Sequence, residues 1–191
     1  MYKRQEQLNL RTERAVLVGV YPNNRLSEYT PWPEPAIRPG TPDFGGQLGQ
    51  YHRELNNEIF PALIDEYALD TEKLAYGGYS LGGLAATMSL WETDAIAAVF
   101  SLCGSFWYPG VADFIEEHVP KNYSAQVYLQ NGIREGDGHN NRLCDAYSYA
   151  QRVHTALQAT CGAKTVLDDY GHHDRQSERL NAALRWVERV L

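Results

Sequence analysis

The sequence predicts an α/β fold, a mostly parallel sheet with helices on both faces. Short β-rich runs alternate with stretches of helical periodicity from one end to the other, and strands joined through helices run parallel. The length of 191 residues is enough to bury a substantial core. No internal repeat, low-complexity tract or linker divides it. Residues 1–191 therefore read as a single domain.

The elements follow in order. Arg14 to Val20 (Arg-Ala-Val-Leu-Val-Gly-Val) reads as a strand buried on both faces. Tyr21 to Gly46, dense in Pro, Gly and Asn, reads as a long surface loop. Between Gln47 and Tyr67, Leu48, Tyr51, Leu55, Ile59, Leu63 and Ile64 recur at helical spacing and predict a helix. Lys73 to Tyr79 is the second strand, followed by a helix rich in Ala and Leu over Gly82 to Trp91. Ala97 to Leu102 and Ala125 to Gln130 are the third and fourth strands, and Arg142 to Ala159 is a long helix. Lys164 to Asp168 makes the fifth strand. Ser177 to Val190 closes the chain as an amphipathic helix carrying Leu180, Ala183, Leu184, Trp186 and Val187.

Charge and cysteines exclude functions without naming one. Seventeen basic against twenty-four acidic residues give a net charge of −7. Such a surface repels phosphate backbones and anionic lipid, so neither nucleic acid nor membrane is expected as a partner. No window approaches the run of about 18 apolar residues that a membrane span needs. The opening Met1-Tyr2-Lys3-Arg4-Gln5-Glu6 lacks the apolar stretch of a signal peptide, which predicts a cytoplasmic protein. Cys103, Cys144 and Cys161 are odd in number and lack C-x-x-C spacing. They read as reduced thiols, with neither a disulfide framework nor a structural metal.

Gly78-Tyr79-Ser80-Leu81-Gly82 matches G-x-S-x-G, and Gly83 follows. The pentapeptide alone is weak; its setting strengthens it. It ends the strand Leu74-Ala75-Tyr76 and opens the helix Leu84-Ala85-Ala86, as the nucleophile elbow of an α/β-hydrolase does. Such a turn strains the serine backbone, and glycines at 78 and 82 remove side chains that would collide. Ser80 is then lifted above the sheet, and the Leu81 N–H points to where an oxyanion forms. The alternative is a glycine-rich turn whose serine merely caps the helix.

A serine needs a base, and in this fold the order along the chain is serine, acid, histidine. His154 falls inside the long predicted helix and His118 in a short polar segment. The pair His172-His173 follows the last strand directly and precedes the last helix, where a loop can reach Ser80. The competing reading, a metal site with Asp174, lacks a third ligand at sensible spacing. The acid belongs after the fourth strand, where Glu135 and Asp137 both qualify.

Taken together these motifs resemble an esterase family that includes the enterochelin (trilactone siderophore) esterases. The resemblance covers almost the whole chain. It runs through Arg25-Leu26-Ser27-Glu28-Tyr29-Thr30-Pro31, Phe44-Gly45-Gly46, Tyr51, Glu58-Ile59-Phe60-Pro61, the elbow from Gly77 to Leu84, and Ser105-Phe106-Trp107. Gly132-x-x-Glu135 with Asn140 resembles the family's acid segment and implies Glu135. Gly171-His172, with Arg179 and Trp186 following, implies His172 rather than His173.

What the resemblance implies is an α/β-hydrolase-type esterase acting on a small-molecule ester through Ser80, His172 and Glu135, with no cofactor. Arg25 is a candidate for binding an anionic ester, or else a staple to Glu28. Trp107, with Tyr108, is a candidate aromatic wall, or else loop packing. An acyltransferase of the same fold and an inactive remnant kept as a binding domain are the competing functions. Cys103 stands where the family commonly has serine. In the family a further strand and its glycine-containing loop precede the segment matching Arg14 to Val20. Here only a helical remnant, about Tyr2 to Leu10, is expected before it. The resemblance thus implies a domain lacking its N-terminal strands, and with them the second oxyanion donor, at a cost on the order of 10²- to 10³-fold in turnover.

Overall fold

The computed structural model describes residues 15–191. Four strands, β3 (Ala75–Tyr79), β4 (Ala98–Leu102), β5 (Gln126–Gly132) and β6 (Lys164–Asp168), form one parallel sheet in that order. The register sets Ala75 beside Ala98, Ala98 beside Gln126, and Tyr128 beside Lys164. Each strand lies next to its predecessor in the chain, so the loops leaving β3, β4, β5 and β6 gather at the carboxyl end of the sheet. In open α/β sheets this is where sites form.

Helices cover both faces, as the alternation predicts. α4 (Leu81–Glu92), α5 (Val111–Glu117) and α6 (Ala146–Cys161) lie on one side. There Leu84, Leu90, Val99, Leu129, Val153 and Leu157 are fully buried in the larger core. α7 (Gln176–Val190) covers the other side, placing Ala183 and Trp186 against Ala98, Phe100, Leu102 and Tyr128. The alternation is strict along β4: Val99 faces the larger core, while Ala98, Phe100 and Leu102 face α7.

The helix expected from Gln47 to Tyr67 is continuous but not uniform. α2 (Leu48–Glu54) and α3 (Phe60–Tyr67) are joined by one π-helical turn, Leu55–Ile59. The wider turn ends two residues before Pro61, whose ring has no N–H to donate and crowds the carbonyl four residues back, inside that turn. Likewise the long helix begins later than Arg142, because Arg142–Asp145 is a tight 3₁₀ turn capped by Asn141.

Three expectations are revised. Residues 15–20 form no strand, and Val16 and Leu17 are 46% and 50% exposed. β propensity becomes a strand only beside a partner, and among the described residues this run pairs with none. β3 has β4 as its one neighbour there. The region 21–46 is more than loop: it holds α1 (Arg25–Glu28) and a two-residue ribbon, β1 (Pro33–Glu34) against β2 (Phe44–Gly45). α5 was not foreseen, although Val111, Ala112 and Ile115 give it a buried face. Arg14 and the helix expected over Tyr2 to Leu10 lie outside the described residues.

Candidate active site

Ser80 sits between β3 and α4 with φ 60° and ψ −122°, a conformation that side-chain-bearing residues rarely adopt. Such an outlier costs on the order of 1–3 kcal/mol and persists only where its surroundings enforce it. Here the Ser80 N–H donates to the Leu102 carbonyl at 2.9 Å, and the Ser80 carbonyl accepts from Leu84 and Ser105 N–H groups at 3.0 and 3.1 Å. Ser80 is the N-cap residue of α4, yet its side chain makes no capping bond. Its hydroxyl is thereby free for the groups facing it. Leu81 opens the helix, so its N–H is one of the donors a helix start leaves unpaired.

The glycines of the elbow do different work from that expected. A Cβ on Gly78 would lie 2.4 Å from the carbonyl carbon of Gly82, and one on Gly83 would lie 2.6 Å from Ser101 Oγ. Gly82 itself is undemanding, since a Cβ there would meet only the Tyr29 ring at 3.7 Å. Gly78 and Gly83 are sterically required, as is Gly77, where a Cβ would lie 2.2 Å from the Phe100 ring.

The histidine loop leaves β6 and reaches across to the serine. His172 Nε2 lies 3.1 Å from Ser80 Oγ, and His172 Nδ1 lies 2.8 Å from Glu135 Oε2. The Glu135 side chain is 3% exposed and that of His172 26%. The other carboxylate oxygen of Glu135 accepts from the Gly132 N–H at 2.8 Å and from Asn131 Nδ2 at 3.2 Å. With its lone pairs occupied in this way the acid has one free direction, toward the imidazole.

The alternatives left open by the sequence fall elsewhere. Asp137 is 65% exposed and pairs with Arg134. His173 is exposed, its ring edge-on to His172 at 4.9 Å between centroids. Asp174 accepts from the Gly171 N–H at 2.8 Å and closes the turn that carries the pair. Arg25 is exposed at the start of α1; the Glu28 carboxylate instead accepts from the N–H groups of Asn23 and Asn24. Trp107 is 8% exposed, packed on Phe44 with the Arg142 guanidinium over its ring. Tyr108 is fully buried and donates to the Trp32 carbonyl at 2.6 Å, as loop packing would have it.

Several contacts around the site could not be read from the sequence. Tyr79 donates its hydroxyl to the His172 carbonyl and stacks edge-on against the ring. Ser105 Oγ lies 3.3 Å from Ser80 Oγ. Arg179, 1% exposed, reaches from α7 to the Gly171 carbonyl, to Cys103 Sγ and to both oxygens of Asp168. These partners are 8 to 93 residues apart in the chain; Ser105 and Arg179 stood among the segments that carry the resemblance, but no spacing announces what they touch.

Cys103, Glu135 and His172 place a sulfur, an oxygen and a nitrogen within 4.8 Å of one another. This group does not fit a cation. Burial and the nearby Glu135 charge push the Cys103 thiol up to about 12, and the Arg179 Nη1 donor stands 2.8 Å from the sulfur. A metal would need the thiolate and would meet a fixed positive charge. Among the described residues no helix is long and apolar enough to cross a membrane.

Comparison with known proteins places this geometry in context. A family model described as "Putative esterase" matches residues 4–186. The uncharacterized protein YbbA of Bacillus subtilis (strain 168) is 30% identical over 151 residues, covering 78% of this chain and 60% of that protein. The chain therefore spans less than two thirds of that relative's length. Among solved structures, an IroE-like serine hydrolase from Shewanella oneidensis superposes with a TM-score of 0.68 at 20% identity, over 89% of this chain and 57% of that one. The siderophore hydrolase EstA from Aspergillus nidulans gives 0.67 at 16% identity, over 92% and 70%. Likeness at this level of identity shows a shared fold.

Proposed function

The chain belongs to the esterase family whose model it matches, and from that membership we propose that it is a serine carboxylic-ester hydrolase. The observation that carries the reading is the unbroken line from Ser80 Oγ to His172 Nε2 at 3.1 Å and from His172 Nδ1 to Glu135 Oε2 at 2.8 Å.

In the proposed reaction Ser80 Oγ attacks the ester carbonyl while His172 Nε2 takes its proton. The carbonyl oxygen becomes an oxyanion held by the Leu81 N–H at the positive end of α4. Glu135 accepts from Nδ1–H throughout, which fixes the tautomer that leaves Nε2 basic and then stabilises the imidazolium. As the tetrahedral intermediate collapses, His172 gives its proton to the leaving alcohol, and Ser80 keeps the acyl group. Water then repeats the sequence and frees the acid.

The substrate is a small-molecule ester. The printed name of EstA, a siderophore hydrolase, makes siderophore esters the first class to assay. Arg25, exposed just before the Tyr29 that lies on the elbow, is the cation proposed to meet an anionic acyl group. Trp107 is proposed to back the same side. Pre-steady-state reaction with a p-nitrophenyl ester in excess over enzyme, followed by mass measurement, tests the proposal. It predicts a burst of nitrophenol and an acyl adduct on Ser80; turnover without adduct or burst at every pH would argue for another mechanism.

A further inference from the structure

We propose that His154 is a positioning residue for ester hydrolysis, holding Glu135 in place through the side-chain amide of Asn131. The inference rests on the triad reading above and adds to it a residue that never touches substrate.

Asn131 lies at the carboxyl end of β5, four residues before Glu135, and is 1% exposed. Its Nδ2 faces two acceptors, Glu135 Oε1 at 3.2 Å and the Gly104 carbonyl at 3.4 Å. Its Oδ1 faces His154 Nε2 at 3.0 Å. Turning the amide over would aim an oxygen at a carboxylate and a carbonyl together, so chemistry permits one orientation. Because Oδ1 can only accept, His154 Nε2 must donate, and the neutral ring carries its proton there.

The rest of the His154 ring agrees. Among the described residues Nδ1 is buried with no partner, as suits a bare lone pair; a proton at Nδ1 would there be a buried donor with nowhere to go. The residue is 4% exposed, with the Phe106 ring edge-on at 6.4 Å. Burial pushes its pKa down to about 4 against the opposing pull of Glu135. His154 is thus a neutral donor of fixed direction. Without it Asn131 Oδ1 becomes a buried acceptor with no donor, and the amide that holds Glu135 loses the anchor on its other side.

The consequence is felt at His172. Glu135 is anchored on one oxygen by Asn131 and the Gly132 N–H, and with the other it accepts from His172. Loosening the first tilts the second. Misplacement of a catalytic group by about 1 Å costs up to about 10²-fold, less than losing the acid outright.

The test compares His154→Met and His154→Gln with the parent chain. A glutamine side chain can bring an N–H to the position of Nε2, whereas methionine fills the space without a donor. The proposal predicts kcat about ten- to a hundredfold lower in His154→Met at unchanged KM, and recovery to within about threefold in His154→Gln. Glutamine also buries an extra oxygen, so a purely structural role would make it no better than methionine. Equal loss in both variants, or full activity in both, overturns the proposal. The ring tautomer gives a second readout that needs no variant. Long-range ¹H–¹⁵N correlation must place the His154 proton on Nε2, and a proton on Nδ1 contradicts the assignment. If the parent chain and Ser80→Ala are equally active, the triad reading has failed instead, while the tautomer result still stands.

Discussion

Arg179 lies across the carboxylate of Asp168, its Nε 2.8 Å from Oδ2 and its Nη2 bonded to Oδ1, so that the last helix grips the end of the last strand. The same guanidinium donates to the Gly171 carbonyl at 3.1 Å, one residue before the proposed base. Burial works against both charges, but the fork wins. It holds the Asp168 carboxyl below its usual range, helped by Gln130, and raises Arg179 above its own.

Removing one partner should therefore hurt fold and site together. Arg179→Met leaves the Asp168 carboxylate without its counter-charge, a loss of about 3–5 kcal/mol for a buried pair, and frees the loop that carries His172. Urea unfolding and ester turnover on the same preparation check it. Arg179→Lys should recover little, because a lysine cannot present the planar fork.

The elbow makes a sharper prediction. Gly83→Ala drives a methyl into Ser101 Oγ and the Gly78 carbonyl, and should lower both stability and turnover. Gly82→Ala meets only the Tyr29 ring at ordinary distance and should leave stability within about 1 kcal/mol, since alanine is the better helix former. Thermal unfolding of the two variants separates them; equal losses would contradict the geometry.

Thiol reactivity should follow burial. Cys144 is exposed and Cys103 fully buried with its pKa raised to about 12. Iodoacetamide at pH 8 should modify Cys144 first and reach Cys103 only on unfolding, with turnover retained meanwhile. Rapid alkylation of Cys103 in the native protein, seen by peptide mapping, would contradict this.

Acid should weaken the fold through its buried histidines. Burial pushes His52 down to about 4, whereas in the unfolded chain it titrates near its usual ~6.5. Between those values the unfolded chain binds a proton that the folded chain refuses. The contribution is complete above about pH 6.5 and falls away toward pH 4, by about 3 kcal/mol. Urea midpoints measured from pH 7.5 to 4.5 should fall less steeply in His52→Leu than in the parent chain. Parallel pH profiles would contradict the assignment.

What could be read from the sequence was whatever local spacing encodes. The elbow was legible because a strand, a tight turn and a helix must be contiguous. The position of His172 after the last strand was legible because chain order fixes which loops share an end of the sheet. Glu135 and Asp137 could not be separated by pattern, since what distinguishes them is burial beside Asn131, a contact made by folding. Gly82 was misread for the same reason: whether a methyl fits depends on Tyr29, far off in the chain. The β-rich run after Arg14 forms no strand because propensity becomes a strand only beside a partner, and among the described residues it has none. His154 was set aside as a helix residue, which it is; only its register on α6 turns it toward Asn131.

The most direct test of the account is whether Ser80 is an activated nucleophile. The purified chain should be treated with a fluorophosphonate probe beside Ser80→Ala and His172→Ala. The account predicts labelling of the parent chain, none in Ser80→Ala and a large fall in His172→Ala. A folded parent chain that stays unlabelled, or labelling that survives Ser80→Ala, would contradict it.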